Sequence, residues 1–410
     1  MSDSVPYFPS KFGYYLKKLS GFKRETVKIY PLNRTTFKSG GDSISFDLPS
    51  GIVDPSTFAI HWLATGANVT TPLNTSGFPD NSEALINRYS ISVGGTLANA
   101  PCMNSNLLAN GLLGLQCGTD IRDSSRSILA NGSSANVSTA PTKHMWLNQF
   151  MGLLNVNHYL DTQLLNGIRI ELITESGNAM SAQTAGDTCT FELSDVYAIC
   201  DVISLDGDAK SIYDAAMLSK MKSGGIVIPF KHWSCINEQV SSSSGSVKFS
   251  VASGCVNKIV AIPQTTTART ATQTQGTAVD GNRSKFFYQT KGSIKDWSVM
   301  FGGRQSISIT ADEMSFLISQ QALGLQKDVS TGSLVTSANW TTSRFAMVHS
   351  LEYVGDGIDR AVLGYDSRLS PNGYLNLNPD GVGTNIMVNV FIETTPVLRL
   401  LAPGVIQVEA

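Results

Sequence analysis

Apolar and polar residues alternate in short runs along most of this chain. Ile44, Phe46 and Leu48 are separated by Ser45 and Asp47, and Val247, Phe249 and Val251 by Lys248 and Ser250. Tyr89, Ile91 and Val93 alternate with Ser90 and Ser92 and then stop at Gly94-Gly95, while Ile168, Ile170 and Leu172 alternate with Arg169 and Glu171. Successive side chains of a strand point to opposite faces, so a period of two gives each segment one apolar face. Sheets built from such strands pack those faces together, which predicts a sandwich. Helix is a minority. Ser105–Gln116 and Ser315–Gln326 carry leucines at helical spacing, with Leu317, Ile318 and Gln321 on one side of the second. Asp312 stands just ahead of that segment as an N-cap, and Gly114 and Gly324 weaken both near their ends. Ser211–Lys222, followed by Gly224-Gly225, reads as a helix with a glycine stop.

The alternating blocks recur about half a chain later. Ser43-Ile-Ser-Phe-Asp-Leu-Pro-Ser-Gly-Ile-Val-Asp54 returns as Ser246-Val-Lys-Phe-Ser-Val-Ala-Ser-Gly-Cys-Val-Asn257, and Ile86–Gly95 returns as Ile294–Gly303. Ser105–Gln116 returns as Ser315–Gln326, and, more weakly, Ile168–Glu175 as Ile386–Glu393. The blocks keep their order while their separation grows, as loop insertions in a second copy would produce. The chain is therefore expected to be all-β, with two tandem eight-stranded jelly-roll sandwiches and a few short helices. The division expected is an arm over 1–24, a first roll over 25–210, a connecting helix and linker over 211–225, and a second roll over 226–410.

Composition sharpens this picture. At 410 residues the chain has room for two cores, and its 42% hydrophobic content is that of a globular protein. Charged residues make up 15%, against roughly 25% in typical soluble domains. That deficit fits a subunit whose sides pack against copies of itself. A net charge of −2 excludes a general polyanion binder. No apolar run is long enough for a membrane-spanning helix: Val388–Val408 is interrupted by Glu393, Pro396, Arg399 and Pro403. The first residues lack a basic segment followed by an apolar one, so no secretory leader is expected, and Asn68-Val-Thr and Asn339-Trp-Thr read as incidental matches to a glycosylation pattern. The six cysteines, Cys102, Cys117, Cys189, Cys200, Cys235 and Cys255, form no CxxC pair and read as buried reduced thiols, which implies assembly in a reducing compartment.

Catalytic chemistry is not assembled by these residues. There is no Gly-x-Ser-x-Gly elbow and no phosphate-binding glycine loop, and Gly381-Val-Gly383 lacks the rest of a dinucleotide fingerprint. His61, His144, His158, His232 and His349 are isolated, whereas metal sites need two or three ligands at short spacing. His61-Trp62 and His232-Trp233 echo one another as packing residues, and Asp356-Gly-Ile-Asp359 reads as a solvated turn without the further oxygens of a calcium loop. No catalytic, cofactor-binding or metal-binding residue is expected, and no cofactor. Two alternatives share a duplicated sandwich. A bicupin-like enzyme would carry a His-x-His pair, which is absent from this sequence. A carbohydrate-binding two-domain sandwich would place aromatic residues on its loops.

Three segments carry a family resemblance: Phe46–Phe58, Ala84–Gly95 and Leu193–Leu205. They resemble an early strand pair with its tight turn, a strand ending in a Gly-Gly turn, and the strand closing the first roll in the double jelly-roll major capsid proteins. This lineage includes adenovirus hexon, membrane-containing tailless phages, giant-virus capsids and polinton-like viruses, the last being most alike. The resemblance implies a structural protein and not an enzyme: a homotrimer with pseudo-sixfold outline, then a lattice of trimers forming an icosahedral shell of a DNA virus, with minor and penton capsid proteins as partners and the virion capsid as its place. The polar stretches Gly118–Thr142 and Thr265–Ser284 would form outward towers, intersubunit contacts or plain surface loops. The arm carries Lys11, Lys17, Lys18, Lys23 and Arg24 among Phe12, Tyr14, Tyr15, Leu16, Leu19 and Phe22. Basic and aromatic residues together suit contact with an anionic membrane, a minor capsid protein or packaged genome at the inner face, although an arm packed on its own or a neighbouring subunit is the more ordinary reading.

Overall fold

A computed structural model describes residues 22–70, 76–79, 82–116, 142–147, 151–156, 158–182, 184–241, 245–274, 284–323, 337–352, 364–379 and 385–409. The segments predicted as strands pair into two sandwiches with one wiring. In the first, β1 (Phe22–Ile29), β12 (Cys189–Leu205), β4 (Ile52–Asn68) and β8 (Thr142–Leu147) lie in that order in one sheet. The facing sheet runs β3 (Ser43–Asp47), β10 (Ile168–Thr174), β6 (Ile86–Val93) and β7 (Thr96–Asn99). Short strands β2 (Phe37–Lys38) and β9 (Leu160–Asp161) extend the first sheet. The second sandwich repeats the order with β14 (His232–Val240), β23 (Ile386–Thr394), β16 (Val256–Thr265) and β21 (Met347–Ser350). It is faced by β15 (Ser246–Ser250), β22 (Asn372–Pro379), β18 (Ile294–Phe301) and β19 (Arg304–Gln305), with β20 (Ile309–Thr310) beside β18. In each unit one sheet takes the first, eighth, third and sixth main strands and the other takes the second, seventh, fourth and fifth, which is the jelly-roll wrap.

Period-two patterning places the cores where expected. Ile44, Phe46, Tyr89, Ile91, Val93, Ile168, Ile170 and Leu172 share the first apolar cluster, and Val247, Phe249, Trp297 and Leu375 the second. The strand pairs β6–β7 and β18–β19 turn on Gly94-Gly95 and Gly302-Gly303, all four with positive φ (54°, 82°, 59° and 76°). Two successive left-handed residues make the tight turn that matches strand twist, which is why the glycine pair recurs in both copies.

Three of the four sequence repeats fall on equivalent elements: β3 with β15, β6 with β18, and the helix α1 (Ser105–Gln116) with a later one. The fourth does not. Ile168–Glu175 lies on β10, the seventh strand of its roll, whereas Ile386–Glu393 lies on β23, the eighth of the other. Both are interior strands with apolar residues at every second position, and that pattern alone cannot separate neighbours in a sheet.

The connecting helix α2 spans Gly207–Lys222, four residues longer at its start than the spacing predicted. It ends at Ser223, followed by Gly224 and Gly225 at φ 134° and 91°. The packing does not follow a division at residue 225. Strand β13 (Ile226–Pro229) pairs with β24 (Val397–Ala402), and β24 with β25 (Val405–Glu409). Leu398 and Leu400 belong to the first cluster, against which Ile226, Ile228, Ile406 and Val408 pack. The C-terminal residues therefore return to the first roll. Helices α3 (Glu313–Ala322) and α4 (Ser337–Ser343) complete the second unit. Asp312 caps α3 as predicted, its carboxylate accepting from the Met314 amide at 2.9 Å.

Candidate functional site

The surface that matters is the seam between the rolls and what it leaves uncovered. Strand register sets the frame. Asn68 pairs with Cys189 at one end of the first roll, and Ile52 with Ile203 at the other; Thr265 pairs with Ile386 and Val256 with Thr394 in the second. The connections after β4, β7 and β10 therefore leave from one end, as do those after β16 and β22. At that end β11 (Ser181–Ala182) pairs antiparallel with β5 (Ser76–Gly77) and parallel with β17 (Gln273–Thr274). Part of the stretch Thr265–Ser284 thus bridges the rolls within one chain, while residues 117–141 and 275–283 lie outside the described residues. At the opposite end sit α2 and the β13–β24–β25 sheet. The two rolls stand side by side in the same sense.

Beneath the bridging strands lies a buried ion pair. Glu175 accepts from Arg269 at 2.9 Å, from the side-chain amides of Asn87 and Asn106 at 2.7 and 2.9 Å, and from the Ser176 amide at 2.8 Å. Burial depresses the Arg269 pKa, against which Glu175 holds the charge. The guanidinium also lies 4.7 Å from the centre of the Phe286 ring. A buried charge persists only where its partner and hydrogen bonds offset desolvation. Glu175 closes the predicted block Ile168–Glu175, but nothing nearby in sequence marks Arg269 as its partner.

Helix α1 fills the seam. Leu107, Leu108 and Leu112 join the second roll's apolar cluster, although α1 belongs to the first roll's chain segment. The Asn104 side-chain amide donates to Asn389 Oδ1 at 3.1 Å. A Cβ at Gly111 would come within 2.8 Å of Ile262 Cδ1, so the helix backbone lies close against β16. As a result β16 and β23 are buried on both faces. Helix α3 occupies the same place in the second roll and is covered on one side only. Ser315 accepts from Trp297 Nε1 at 3.1 Å and Ser319 donates to the Ala346 carbonyl at 3.1 Å, while Met314 and Leu317 are 55% and 53% exposed. The matching strands β4 and β12 keep a half-buried outer face, on which His61 stacks on Tyr197 at 4.5 Å between ring centres.

Only two of the five predicted arm residues fall among the described residues. Lys11, Lys17 and Lys18 lie outside the described residues. Lys23 and Arg24 stand inside β1, not ahead of the first strand. Lys23 pairs with Glu25, and Arg24 reaches Asp201 at 2.6 Å and Asp54 at 3.1 Å. The Thr26 hydroxyl, donating at 2.6 Å, and Arg24 hold the Asp201 carboxyl below its usual range. Phe22 lines an open cavity of about 490 Å³ at the base, with Ile52, Leu164, Tyr213, Met217 and Leu400.

Among the described residues no three His, Cys, Asp or Glu side chains converge as a metal site would require. His61 lies on β4 and His232 on β14, so their tryptophan neighbours echo one another without structural equivalence: Trp62 is in the first core and Trp233 in the second. The Asn99 side-chain amide lies 3.2 Å from His232 Nδ1, and burial lowers the His232 pKa to about 4. Cys102, Cys189 and Cys200 are buried, whereas Cys235 and Cys255, also expected to be, are half-buried; burial raises Cys189 to about 11 and Cys200 to about 12, far from a reactive thiolate. Asp356–Asp359, Gly381–Gly383 and Cys117 lie outside the described residues. No described helix is long and apolar enough to cross a membrane.

Comparison with solved structures settles the fold. The Faustovirus major capsid protein superposes with a TM-score of 0.64 over 97% of this chain and 93% of its own, at 8% identity. The capsid of the virus PBCV-1 does so with a TM-score of 0.61 over 96% of this chain and 98% of its own, at 10% identity. The chain has the double jelly-roll fold of viral major capsid proteins. A second PBCV-1 structure, VP54 fitted into a reconstruction of the virophage Sputnik, gives 0.59 over 96% and 98% at 10% identity. No family model and no curated protein matches the sequence. At 8% and 10% identity the likeness lies in the fold, not in the residues.

Proposed function

We propose that this chain is the major capsid protein of an icosahedral virus, a structural shell subunit without catalytic activity. The observation that carries this reading is the pairing of two like-wired rolls, standing side by side, with the seam contact of one roll satisfied inside the chain and its counterpart left open. Nearly full-length likeness in fold to the Faustovirus and PBCV-1 capsid proteins supports it. The low charge content fits it, since lateral faces are to be covered by sister molecules.

A head-to-tail contact that repeats closes into a ring when its rotation allows. Three chains of two rolls would give six near-equivalent rolls and a hexagonal outline, the shape of a tile for a lattice. The capsomer is thus a homotrimer, and minor and penton capsid proteins fill the positions that it cannot. Its place is the virion capsid, with assembly in a reducing compartment, which the buried, high-pKa thiols tolerate. Lys11, Lys17 and Lys18, with Lys23 and Arg24 at its root, form an arm toward the shell interior. Deleting residues 1–21 leaves β1 whole. Particles whose assembly and interior contacts were unchanged by that deletion would remove the arm's role.

Electron microscopy of the purified full-length protein tests the main reading. Hexagonal-outlined trimers, alone or in sheets and shells, are expected. A monodisperse monomer over the whole accessible concentration range would overturn it.

A further inference from the structure

The internal repeat aligns Asn104, Leu107 and Gly111 of the first roll with Met314, Leu317 and Gln321 of the second. In the first roll this stripe is the contact with β16 and β23: Asn104 bonds Asn389, Leu107 is 0% exposed, and Gly111 abuts Ile262. In the second roll the same stripe faces outward, with Met314 at 55%, Leu317 at 53% and Gln321 exposed. The stripe is not needed to hold α3 down. Its opposite face does that, through Ser315, Ser319 and Phe316, whose ring is 5.2 Å from that of Trp340.

The receiving surfaces are asymmetric in the complementary way. Strands β16 and β23 are buried on both faces because α1 covers them. The equivalent strands β4 and β12 present a half-buried outer face carrying His61, Leu63, Tyr197 and Ile199, with Lys28 3.7 Å from the centre of the Tyr197 ring. Among the described residues, one chain thus holds a helical stripe without a receiving face and a receiving face without a helix. Their intramolecular counterparts are already matched.

We propose that α3 is the intersubunit key: its Met314–Leu317–Gln321 stripe seats on the outer face of β4 and β12 in a second copy, as α1 seats on β16 and β23 within one copy. The inference rests on the assembly reading above only in requiring that the chain self-associates. Because stripe and receiving face are different surfaces, the contact is head-to-tail, and each copy both gives and receives.

Two single variants separate the surfaces. Leu317→Glu destroys the key and leaves the receiving face; Ile199→Glu does the reverse. Both sites are at least partly exposed, and thermal melts establish that each variant is folded. Each alone is expected to weaken assembly about 30-fold or more, the loss typical of a central apolar anchor, read as the midpoint concentration in sedimentation velocity. Mixed, the two variants are expected to form a one-to-one heterodimer that grows no further, since one intact key meets one intact face. Folded Leu317→Glu that assembles like the parent overturns the inference while leaving the capsid reading intact, as does a mixture that stays monomeric. A parent protein that never assembles overturns both. Double substitution in one chain, mixed with the parent, supplies neither key nor face and is expected to stay out of the oligomer; its incorporation would also overturn the inference.

Discussion

Helices α1 and α3 have related sequences and the same place in their rolls, yet one is wholly enclosed over its described residues and the other is open along a stripe. The strand pairs they relate to differ in the same way. β16 and β23 are buried on both faces, polar residues such as Gln264 and Asn389 included, whereas β4 and β12 alternate over much of their length. Neither difference arises from local propensity, since both pairs are long, antiparallel and β-branched. It follows from what lies on the outer face. A duplicated unit that packs on its own copy must lose alternation in one half and keep it in the other, and the half that keeps it marks the surface still available.

The seam can be broken hardest at its charged centre. Glu175→Ala leaves Arg269 buried without its carboxylate, with an expected loss of about 3–5 kcal/mol of folding stability in chemical denaturation. Glu175→Gln keeps two hydrogen-bonding atoms and should cost less. A loss under about 1 kcal/mol for the alanine variant would mean that the rolls are held by apolar contact alone.

Leu107→Ala comes next. It opens a cavity between α1 and the second roll and should cost about 2–5 kcal/mol. The same truncation in α3, Leu317→Ala, is its matched control.

Acid should loosen the seam through His232. Its folded pKa, lowered by burial to about 4, lies below the ordinary value near 6.5, so the unfolded chain binds the extra proton. Stability from this group is complete above about pH 6.5 and declines as pH falls toward about 4, by about 3 kcal/mol at most. Its Nδ1 lies where only a neutral ring can accept from Asn99, which joins the loss to the seam. His232→Gln should flatten the stability profile in that window. A parent protein equally stable at pH 4.5 and pH 7 would contradict this.

The smallest effect sharpens the comparison most. Leu317→Ala should change folding stability of the unassembled chain by no more than about 0.5 kcal/mol, as expected of an exposed side chain. A cost near that of Leu107→Ala would mean that the two helices do the same work within one chain.

Much of this fold was legible in the residues. Period-two runs placed the cores, the Gly-Gly pairs placed two tight turns, Asp312 placed a helix start, and the first three repeat blocks matched equivalent elements. Interior strands defeated the pattern: β10 and β23 look alike because buried strands converge on the same residues. The return of Leu398 and Leu400 to the first core could not be read either, since an apolar run does not say which sheet it joins. The candidate site was less legible still. Glu175 and Arg269 lie 94 residues apart in the chain, and the exposed state of Leu317 against the buried state of Leu107 depends on neighbours, not on the related local sequences. That Arg24 is held within the first sheet could not be read, because its carboxylate partners Asp54 and Asp201 are distant in the chain.

A side-chain-resolution cryo-electron microscopy map of the assembled protein bears most directly on the idea that one seam is filled from within and its twin from outside. The account predicts Leu317 of each copy in contact with Tyr197 or Ile199 of the next, repeating the α1 contact. A map with α3 facing solvent, or seated on any other element, would contradict it.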